Sequence, residues 1–397
     1  MSASTVQAAK ALPAQRVGDR RLQIGLYTTA VFLYWVGLYL YVPTMPVYIK
    51  SKSDDLALVG LVISMYGLWQ AIVRLPLGIL ADWLGRRKLL ILIGFALASI
   101  GAWVMGTANG VPGLVIGRSI TGLAAATWVL LVVAFSALFP PEEAVRASAL
   151  LTLVGSVARL LATSITGWLN ALGGYPLSYL LAALVGLLAM VAMAPAVDPP
   201  RPPRRPEPAA LGRLITRRDV LLPALLSAVG QYVNWAVIFG FLPILARQLG
   251  ASDTLQSLMT SLSILVVVLG NLTTTWLVGR FGAQRLCYCS FFLLAAGVGL
   301  AAVAHALWLV FVVQIFIGFA QGIGSPVLMG LSIRFVGRDE RNTAMGLHQA
   351  VYAVGMFTGP WLSGLLAAAW GLPPMFAVTA LGALVLGWLG TRQLRDQ

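Results

Sequence analysis

The chain has 397 residues, of which 59% are hydrophobic and 10% are charged, and its mean hydropathy is +0.87. A composition this apolar excludes a soluble globular protein and indicates an integral membrane protein. The formal net charge of +14 would suggest a nucleic-acid partner in a soluble chain. Here the basic residues follow membrane topology, so the expected partner is the lipid bilayer and not nucleic acid.

A helix needs about 20 apolar residues to cross the hydrocarbon core, and twelve segments reach that length. Membrane barrels are excluded, because their strands are shorter and alternate every second residue. The predicted fold class is an all-α integral membrane protein with twelve transmembrane helices in two six-helix bundles. The predicted spans are roughly 22–49, 57–81, 88–107, 111–138, 143–168, 176–195, 220–248, 254–279, 286–304, 306–334, 343–368 and 373–391.

The basic residues outside the spans are concentrated on one side of the membrane. If both termini are cytoplasmic, the outer segments carry only Lys50, Lys52 and Arg247, and the remaining loop arginines and lysines are inside. This distribution follows the positive-inside rule and predicts a multi-pass protein of the cell (inner or plasma) membrane with both termini in the cytoplasm. Residues 1–21 are polar and lead into a full-length span, so no cleaved signal peptide is expected.

The loop between the second and third spans carries the most specific motif of the chain. Residues 78–88 read GILADWLGRRK, which matches G-x-L-A-D-x-x-G-R-R-K at every defining position. On this motif the chain resembles the major facilitator superfamily. A weaker match runs from Leu114 to Ala125 in the fourth span, where Arg118 stands in a segment similar to that family's arginine motif.

The resemblance implies that Asp82 locks the two bundles together on the cytoplasmic side in the outward-open state. The spacing agrees, because Arg74, Gly78 and Asp82 follow at intervals of four residues and so share one helical face. The alternative is that Asp82 and Arg86 only anchor a loop at the lipid headgroups. The predicted gating residues are Gly78, Asp82, Gly85, Arg86 and Arg87.

Three arginines, Arg74, Arg118 and Arg159, lie inside predicted spans with long apolar flanks on both sides, whereas all 13 acidic residues lie outside the spans or at their ends. A charge at bilayer depth is costly and is usually retained for a pathway, a counter-ion or a substrate. Because a guanidinium fits carboxylate or phosphate, we predict that Arg118 and Arg159 bind an anionic substrate. The alternative is that each bonds to carbonyls or tyrosines as structural glue; for Arg74, the nearness of the gate favours this structural role.

A proline- and arginine-rich stretch, residues 196–219, separates the two sets of six spans and is predicted to be an extended cytoplasmic linker. The two halves repeat: Leu80–Gly85 faces Leu277–Gly282, and Pro43 answers Pro243. Direct repetition of six spans predicts a substrate site between two bundles near the midplane. The predicted organisation is an arm (1–21), a bundle (22–195), the linker (196–219), a bundle (220–391) and a tail (392–397).

Amide and aromatic side chains near the middle of the spans predict the rest of the site, and their mixture suggests an amphiphilic organic ligand. Each one by itself is equally compatible with packing or interhelical hydrogen bonding. The predicted residues are Tyr34, Trp35, Trp128, Gln231, Asn234, Trp235, Gln314, Gln321, His348, Gln349 and Tyr352.

These features predict a secondary active transporter of a small organic or amphiphilic solute, anionic solutes included, that works by alternating access. In the family that the chain resembles, export is the commonest outcome for compact chains, which favours the export or multidrug branch. Many of its export antiporters carry G-x-x-x-G-P in the fifth span; here that pattern stands in the eleventh span, at Gly355, Gly359 and Pro360. The alternatives are a lipid or glycolipid flippase and an uptake or uniport carrier of an organic anion.

An enzyme is not expected, because no nucleophile–base pair or metal-ligand set is recognisable around the two histidines, His305 and His348. No phosphate-binding loop of the ATPase type is present, so no nucleotide partner is expected. No cofactor or metal is expected either, and a monomer is. For coupling, two alternatives stay open: transport without protons, or proton coupling through His348 or Asp82.

Overall fold

The structure is a computed structural model, and it describes residues 17–198, 208–337 and 340–394. These residues form helices and connecting turns, without strands. The helices of the first half are α1 (Val17–Tyr39), α2 (Met45–Lys50), α3 (Leu56–Leu84), α4 (Lys88–Gly106), α5 (Val111–Ala126), α6 (Trp128–Ser136) and α7 (Ala144–Met193). Those that follow are α8 (Pro208–Thr216), α9 (Arg218–Val233), α10 (Leu242–Gln248), α11 (Asp253–Phe281), α12 (Ala283–Ala302), α13 (Leu307–Ile333), α14 (Arg341–Trp370) and α15 (Leu372–Arg392).

Eleven helical segments within the described ranges are long and apolar enough to cross a membrane. The longest of them, Arg146–Met193, contains two residues with non-helical dihedral angles, Gly173 and Gly174. Gly174 has a φ of +69° and a ψ of −179°, a conformation that glycine adopts almost alone. This break divides α7 into the fifth and sixth spans, so the predicted fold class with twelve spans is confirmed.

The first predicted span is not one continuous helix. α1 ends at Tyr39, and the 3₁₀ turn Val42–Thr44 leads into α2. Proline has no N–H to donate to the preceding turn, so Pro43 favours a break here. The repeat-related Pro243 also stands at a change of geometry, because the π-helix Asn234–Phe241 gives way to α10 beside it.

The fourth span is divided at Thr127, between α5 and α6. Three groups satisfy the carbonyl of Ala124 at this point: the Thr127 N–H at 3.1 Å, the Thr127 hydroxyl at 2.7 Å and the Tyr34 hydroxyl at 2.9 Å. A buried carbonyl must find a donor in a membrane, because no water is available there. Tyr34 therefore helps to hold the break, and this use of its hydroxyl was not foreseen from the sequence.

Two helix pairs join the halves: α3 packs against α14, and the fifth-span part of α7 packs against α11. The repeat exchanges these pairs, because the second and fifth spans correspond to the eighth and eleventh. We use "outer" for the membrane side opposite the predicted cytoplasmic side. In the outer half the backbones touch: a Cβ added to Gly60 would meet the Cα of Gly364 at 2.8 Å, and one added to Gly167 would meet Thr254. The outer halves of the two bundles are therefore in direct backbone contact.

The inner end of α3 differs from its outer half. A Cβ added to Gly78, in the motif segment, would meet no atom within 4 Å. Gly78 thus does not mediate a close helix contact in this conformation. The closest inner contact of this kind is Gly346 of α14, whose added Cβ would approach the Leu75 side chain at 3.5 Å.

The linker prediction needs a correction, since the segment 196–219 is not extended throughout. Pro208–Thr216 forms the helix α8, whose Leu214 is fully buried against Val336 and Ala344, at the end of the second bundle opposite its outer side. One side of α8 is apolar, and burying that side stabilises the helix. Residues 199–207, which hold most of the prolines, lie outside the described residues.

We expect Gly60→Val to open the outer side of the protein. The new side chain would collide with the backbone at Pro360 and Gly364, which cannot move aside as a flexible side chain would. Spin labels at Asp54→Cys and Gln248→Cys, in a background with Cys289→Ala, should report longer distances across the outer mouth. Gly279→Val in α11 is the matched control, since a Cβ added there meets no atom within 4 Å, and an unchanged distance distribution in Gly60→Val would contradict the expectation.

Candidate functional site

A chain of aromatic rings runs between the two bundles. Neighbouring ring centroids are 4.9–6.1 Å apart, within the range of favourable aromatic pairs. The rings come from α6, α1, the π-helix and α3, so the chain crosses from the first bundle to the second and returns. In contact order the members of this aromatic chain are Trp128, Trp35, Tyr39, Phe239, Trp235 and Tyr66.

The repeat explains the centre of the aromatic chain. Trp35 and Tyr39 are four residues apart on α1, and Trp235 and Phe239 are four residues apart at the same place in the other half. Residues at this spacing lie on one side of a helix, so each bundle presents an aromatic pair to the other. Tyr39 and Phe239 were missed by sequence reasoning, although they share the offset of Trp35 and Trp235.

Arg159 stands beside Trp35 and Tyr39, the α1 members of the aromatic chain, and is half-buried. Its guanidinium lies over the rings of Trp35 and Tyr39, at 4.9 and 5.6 Å from the centroids. Nε donates to the Gly155 carbonyl at 3.1 Å and Nη2 to the Ser156 hydroxyl at 3.0 Å. Nη1 makes no hydrogen bond to the described part of the chain, and neither does the buried Nε1 of Trp35. Two donors are thus left for a ligand.

Arg118 stands at the other end of the aromatic chain and is only 1% exposed. Its guanidinium lies 4.2 Å from the centroid of Tyr66 and 5.7 Å from that of Trp235. Within the described residues, none of its three side-chain nitrogens has a hydrogen-bond partner. The two predicted substrate arginines therefore lie at separate places along one aromatic chain.

Arg74 ties the two bundles together. Its Nη2 donates to Gln70 at 2.6 Å, and its Nη1 donates across the interface to the Tyr352 hydroxyl at 2.8 Å. The guanidinium also lies 5.4 Å from the centroid of the Tyr352 ring. Tyr352, predicted as a substrate residue, thus binds Arg74 in this conformation.

Two further predicted substrate residues are held by bonds within the second bundle. Gln321 donates to the Gly230 carbonyl at 2.6 Å and accepts from Ser325 at 3.1 Å. His348 is 2% exposed, and its Nδ1 lies 2.7 Å from the hydroxyl of Ser332. Such contacts are the interhelical bonds expected of polar groups in membrane bundles.

The other amide side chains of the predicted site have hydrogen-bonding groups without a partner among the described residues. Gln231 and Asn234 are half-buried at the junction of α9 and the π-helix, and no hydrogen bond from either side chain is found in the described ranges. The Oε1 atoms of Gln314 and Gln349 are buried without a donor among the described groups. Of the predicted set, the structure brings Trp35, Trp128, Trp235 and the two arginines onto the aromatic chain, and the ring of Tyr34 packs against Trp35 with centroids 5.5 Å apart.

The motif loop between α3 and α4 is described in part. Gly85 ends α3 with a φ of +63°, the left-handed conformation that suits glycine at a helix end. Arg86 is exposed. Asp82 belongs to α3, but its side chain lies outside the described part, so the gating role of Asp82 stays a prediction.

Asp198, at the end of the sixth span, caps the start of α4. Its carboxylate accepts from the backbone N–H groups of Arg87 and Lys88 at 2.9 and 2.8 Å. A carboxylate at a helix N-terminus is stabilised by the helix dipole and satisfies free N–H groups. The ammonium of Lys88 also donates to the Ala194 carbonyl at 2.6 Å. The motif loop is therefore fastened to its own bundle.

Polar groups close the outer side of the interface, and we call this set the outer latch. Asn170 of α7 donates to the Thr44 hydroxyl at 2.9 Å and across the interface to the Asp253 carboxylate at 3.0 Å. The hydroxyl of Ser178 donates to Asn170 at 2.7 Å, and Arg247 lies 3.3 Å from Asp253. Sequence reasoning gave no signal for Asn170 or for its bond to Asp253.

Hydroxyl groups continue this contact towards the centre of the interface. Ser257 accepts from the backbone N–H of Gly167 at 2.7 Å. One turn further in, Ser261 lies 2.8 Å from the Thr163 hydroxyl and accepts from Ser164 at 3.0 Å. The α7–α11 interface is thus closed by hydrogen bonds as well as by backbone packing.

The family model described as Major Facilitator Superfamily matches residues 27–230 and 224–395. Each of the two matches covers one six-span half, and together they include all twelve spans. Both matches therefore agree with the family that the motif loop resembles.

Two known proteins show how far the likeness extends. Quinolone resistance protein NorA of Staphylococcus aureus (strain MRSA252) is 24% identical over 358 residues, which are 85% of this chain and 87% of NorA. Inner membrane transport protein YajR of Escherichia coli (strain K12) is 32% identical over 118 residues, 29% of this chain. That match spans only 26% of YajR.

The fold is also found among solved structures. A bacterial homologue of the human lysosomal transporter Spinster, in an inward-facing and unoccupied conformation, has a TM-score of 0.77. The likeness covers 95% of this chain and 98% of that one, at 16% sequence identity. At this identity the likeness shows the fold alone.

We expect Asp253→Asn to loosen the outer latch. The substitution keeps the shape but replaces a charge-assisted hydrogen bond with a neutral one, which costs about 1 kcal/mol. Maleimide labelling of Ser261→Cys, which is buried in the interface, should become roughly fivefold faster. Asp54→Asn is the control, because that side chain is 98% exposed. Equal labelling rates in the two variants would show that Asp253 does not hold the interface.

Proposed function

We propose that this chain, which belongs to the Major Facilitator Superfamily, exports an amphiphilic organic anion by alternating access. It is a multi-pass membrane transporter, and the proposal concerns its substrate, direction and mechanism. The observation that carries it is Arg159, a cation beside the aromatic chain with one free donor. Lipid or glycolipid flipping, and uptake or uniport of an organic anion, are the alternatives.

The anionic group of the solute would bind at Arg159. The free Nη1 of Arg159 and the free Nε1 of Trp35 both lie where the first bundle meets the aromatic chain. A charge-assisted hydrogen bond in this half-buried place is stronger than one in water. The apolar body of the solute would lie along the aromatic chain, whose rings come from both bundles and would part when the bundles move. Gln231 and Asn234 would supply further hydrogen bonds.

Alternating access would proceed by opening one side while closing the other. The outer latch and the glycine contacts hold the outer side shut in this conformation, which supports an inward-facing state. Opening outward would break the Asn170–Asp253 bond. In that state the motif loop would take over, with Asp82 closing the cytoplasmic side as the family resemblance implies.

Export is the proposed direction because of the full-length likeness to NorA. That protein is described as a quinolone resistance protein, and a quinolone joins a flat aromatic system to a carboxylate. A solute of this kind fits a guanidinium next to a row of rings. Both termini are proposed to be cytoplasmic, on the strength of the basic residues.

We expect Arg159→Met to weaken binding of such solutes at least tenfold, because the loss of a buried charge-assisted contact costs about 2 kcal/mol or more. Arg159→Lys should restore little, since an ammonium lacks the planar fork. Quenching of tryptophan fluorescence by a panel of amphiphilic organic anions, beginning with quinolones, measures the affinity. Arg146→Met, at the exposed cytoplasmic end of α7, is the control. Wild-type affinity in Arg159→Met would make Arg159 a structural residue.

We expect solute flux to persist without a pH gradient, since the carboxylates of the chain lie outside the spans or at their ends and His348 is bound within its own bundle. Proteoliposome flux should be compared with and without an imposed gradient for wild type, His348→Gln and Asp82→Asn. Gradient dependence lost in one of the variants would assign coupling to that residue. Dependence that survives both substitutions would mean that the proton carrier lies elsewhere.

A further inference from the structure

Arg118 is a buried charge without a counter-ion. Its side chain is 1% exposed, and its nitrogens have no acceptor among the described residues. The acidic residues of the chain lie outside the spans or at their ends. Asp253 is the acidic residue that reaches the interface, and it is held by Asn170 and Arg247. Among the described side chains of the first bundle, none is hydrogen-bonded to the guanidinium to balance its charge.

Two phenol groups share this place. Tyr41 and Tyr179 are each 1% exposed, and their rings stack with centroids 4.4 Å apart. Neither hydroxyl has a hydrogen-bond partner among the described residues. The hydroxyl of Tyr41 lies beside the side chains of Arg118 and Thr121. Thr121 is not free, because its hydroxyl donates to the Arg118 carbonyl at 2.9 Å.

The magnitudes show that ring contacts do not balance this charge. Stacking of a guanidinium on aromatic rings is a weak attraction, even when both groups are desolvated. Burying the cation costs more than this, and each donor left without an acceptor adds to the cost. The protein groups around Arg118 therefore leave a deficit that an acceptor with negative charge would offset.

We propose that Arg118, Tyr41 and Tyr179 form a binding site for one small monovalent anion, with chloride as the reference ligand. The site offers one positive charge and hydroxyl donors, so a single negative charge balances it, whereas sulfate or hydrogen phosphate would bring a second one. The three side chains are almost fully buried, which leaves no path for the body of an organic solute. The site lies in the outer half of the first bundle and differs from the Arg159 site.

Binding of this anion would affect the contact between the two bundles. Arg118 contacts Tyr66 of its own bundle and Trp235 of the other, so the charge that the anion neutralises lies against both sides of the interface. Bound anion would hold Arg118 in place behind the aromatic chain. The proposal does not depend on which solute is carried, and it can be tested without knowing that solute.

The test uses the purified full-length protein in detergent. Thermal unfolding, followed by tryptophan fluorescence, should be measured in sodium gluconate as chloride or bromide replaces gluconate at constant ionic strength. Wild type should show a saturable rise in Tm with either halide. Arg118→Met should lose this rise, while Arg146→Met should keep it. A rise that Arg118→Met retains, or no rise in wild type, would overturn the proposal.

A second measurement covers the case in which Arg118→Met does not fold. Equilibrium binding of radioactive chloride should saturate at one site per chain in wild type. The double variant Tyr41→Phe with Tyr179→Phe, which keeps the charge and the ring stack, should bind chloride at least about tenfold more weakly. Unchanged affinity in this variant would contradict the assigned ligands. If organic carboxylates compete for the site while chloride does not bind, the site belongs to the transported solute and the proposal is wrong.

Discussion

The hydrocarbon core sets the constraint on which this structure depends: inside it, every backbone group and every charge must be satisfied by the protein or by a ligand. The backbone meets the constraint by forming helices, and where a helix breaks, side chains supply the missing bonds. The break at Thr127 shows this, because the hydroxyl of Tyr34 donates to the buried carbonyl of Ala124 where the regular helix is interrupted. A residue that looked like part of a substrate site thus has a demonstrable structural use.

The three arginines inside the spans meet the same constraint in different ways. Arg74 donates to Gln70 on its own helix and to Tyr352 of the other bundle, and in this way it links the bundles. Among the described residues, Arg159 donates only to groups of its own helix, and Arg118 has only aromatic rings beside it. The place of the partners, across the interface or within one helix, separates the linking arginine from the two that we propose bind a ligand. A count of charges within the spans cannot make this distinction.

The internal repeat and the chain of rings are connected. Each half carries an aromatic pair at the same position of its first span, and a direct repeat turns the two pairs towards each other across the interface. Across the interface, the second span packs against the eleventh and the fifth against the eighth, and the repeat relates these two contacts to each other. A transporter built in this way can separate one half of each interface while the other half stays packed, because glycines and hydroxyl groups form the outer contacts.

The sequence by itself determined the number of spans, the fold class, the motif loop and the repeat. Each of these depends on a contiguous segment or on a comparison of two segments, so hydropathy and spacing suffice. Sequence reasoning also selected Arg118, Arg159, Trp35, Trp128 and Trp235. It did not reveal Tyr39, Phe239, Tyr41, Tyr179 or the bond between Asn170 and Asp253.

Only the tertiary structure decided which side chains meet. Arg74 and Tyr352 are 278 residues apart in the chain, and Asn170 and Asp253 are 83 apart, so no local pattern relates them. The position of α8 was also decided by packing, since Leu214 is buried against Val336 and Ala344 of the second bundle. A hydropathy pattern records how apolar a residue's surroundings must be, but not which partner lies in them. Those partners distinguish an arginine that links the two bundles, such as Arg74, from one whose nitrogens have no acceptor among the described residues, such as Arg118.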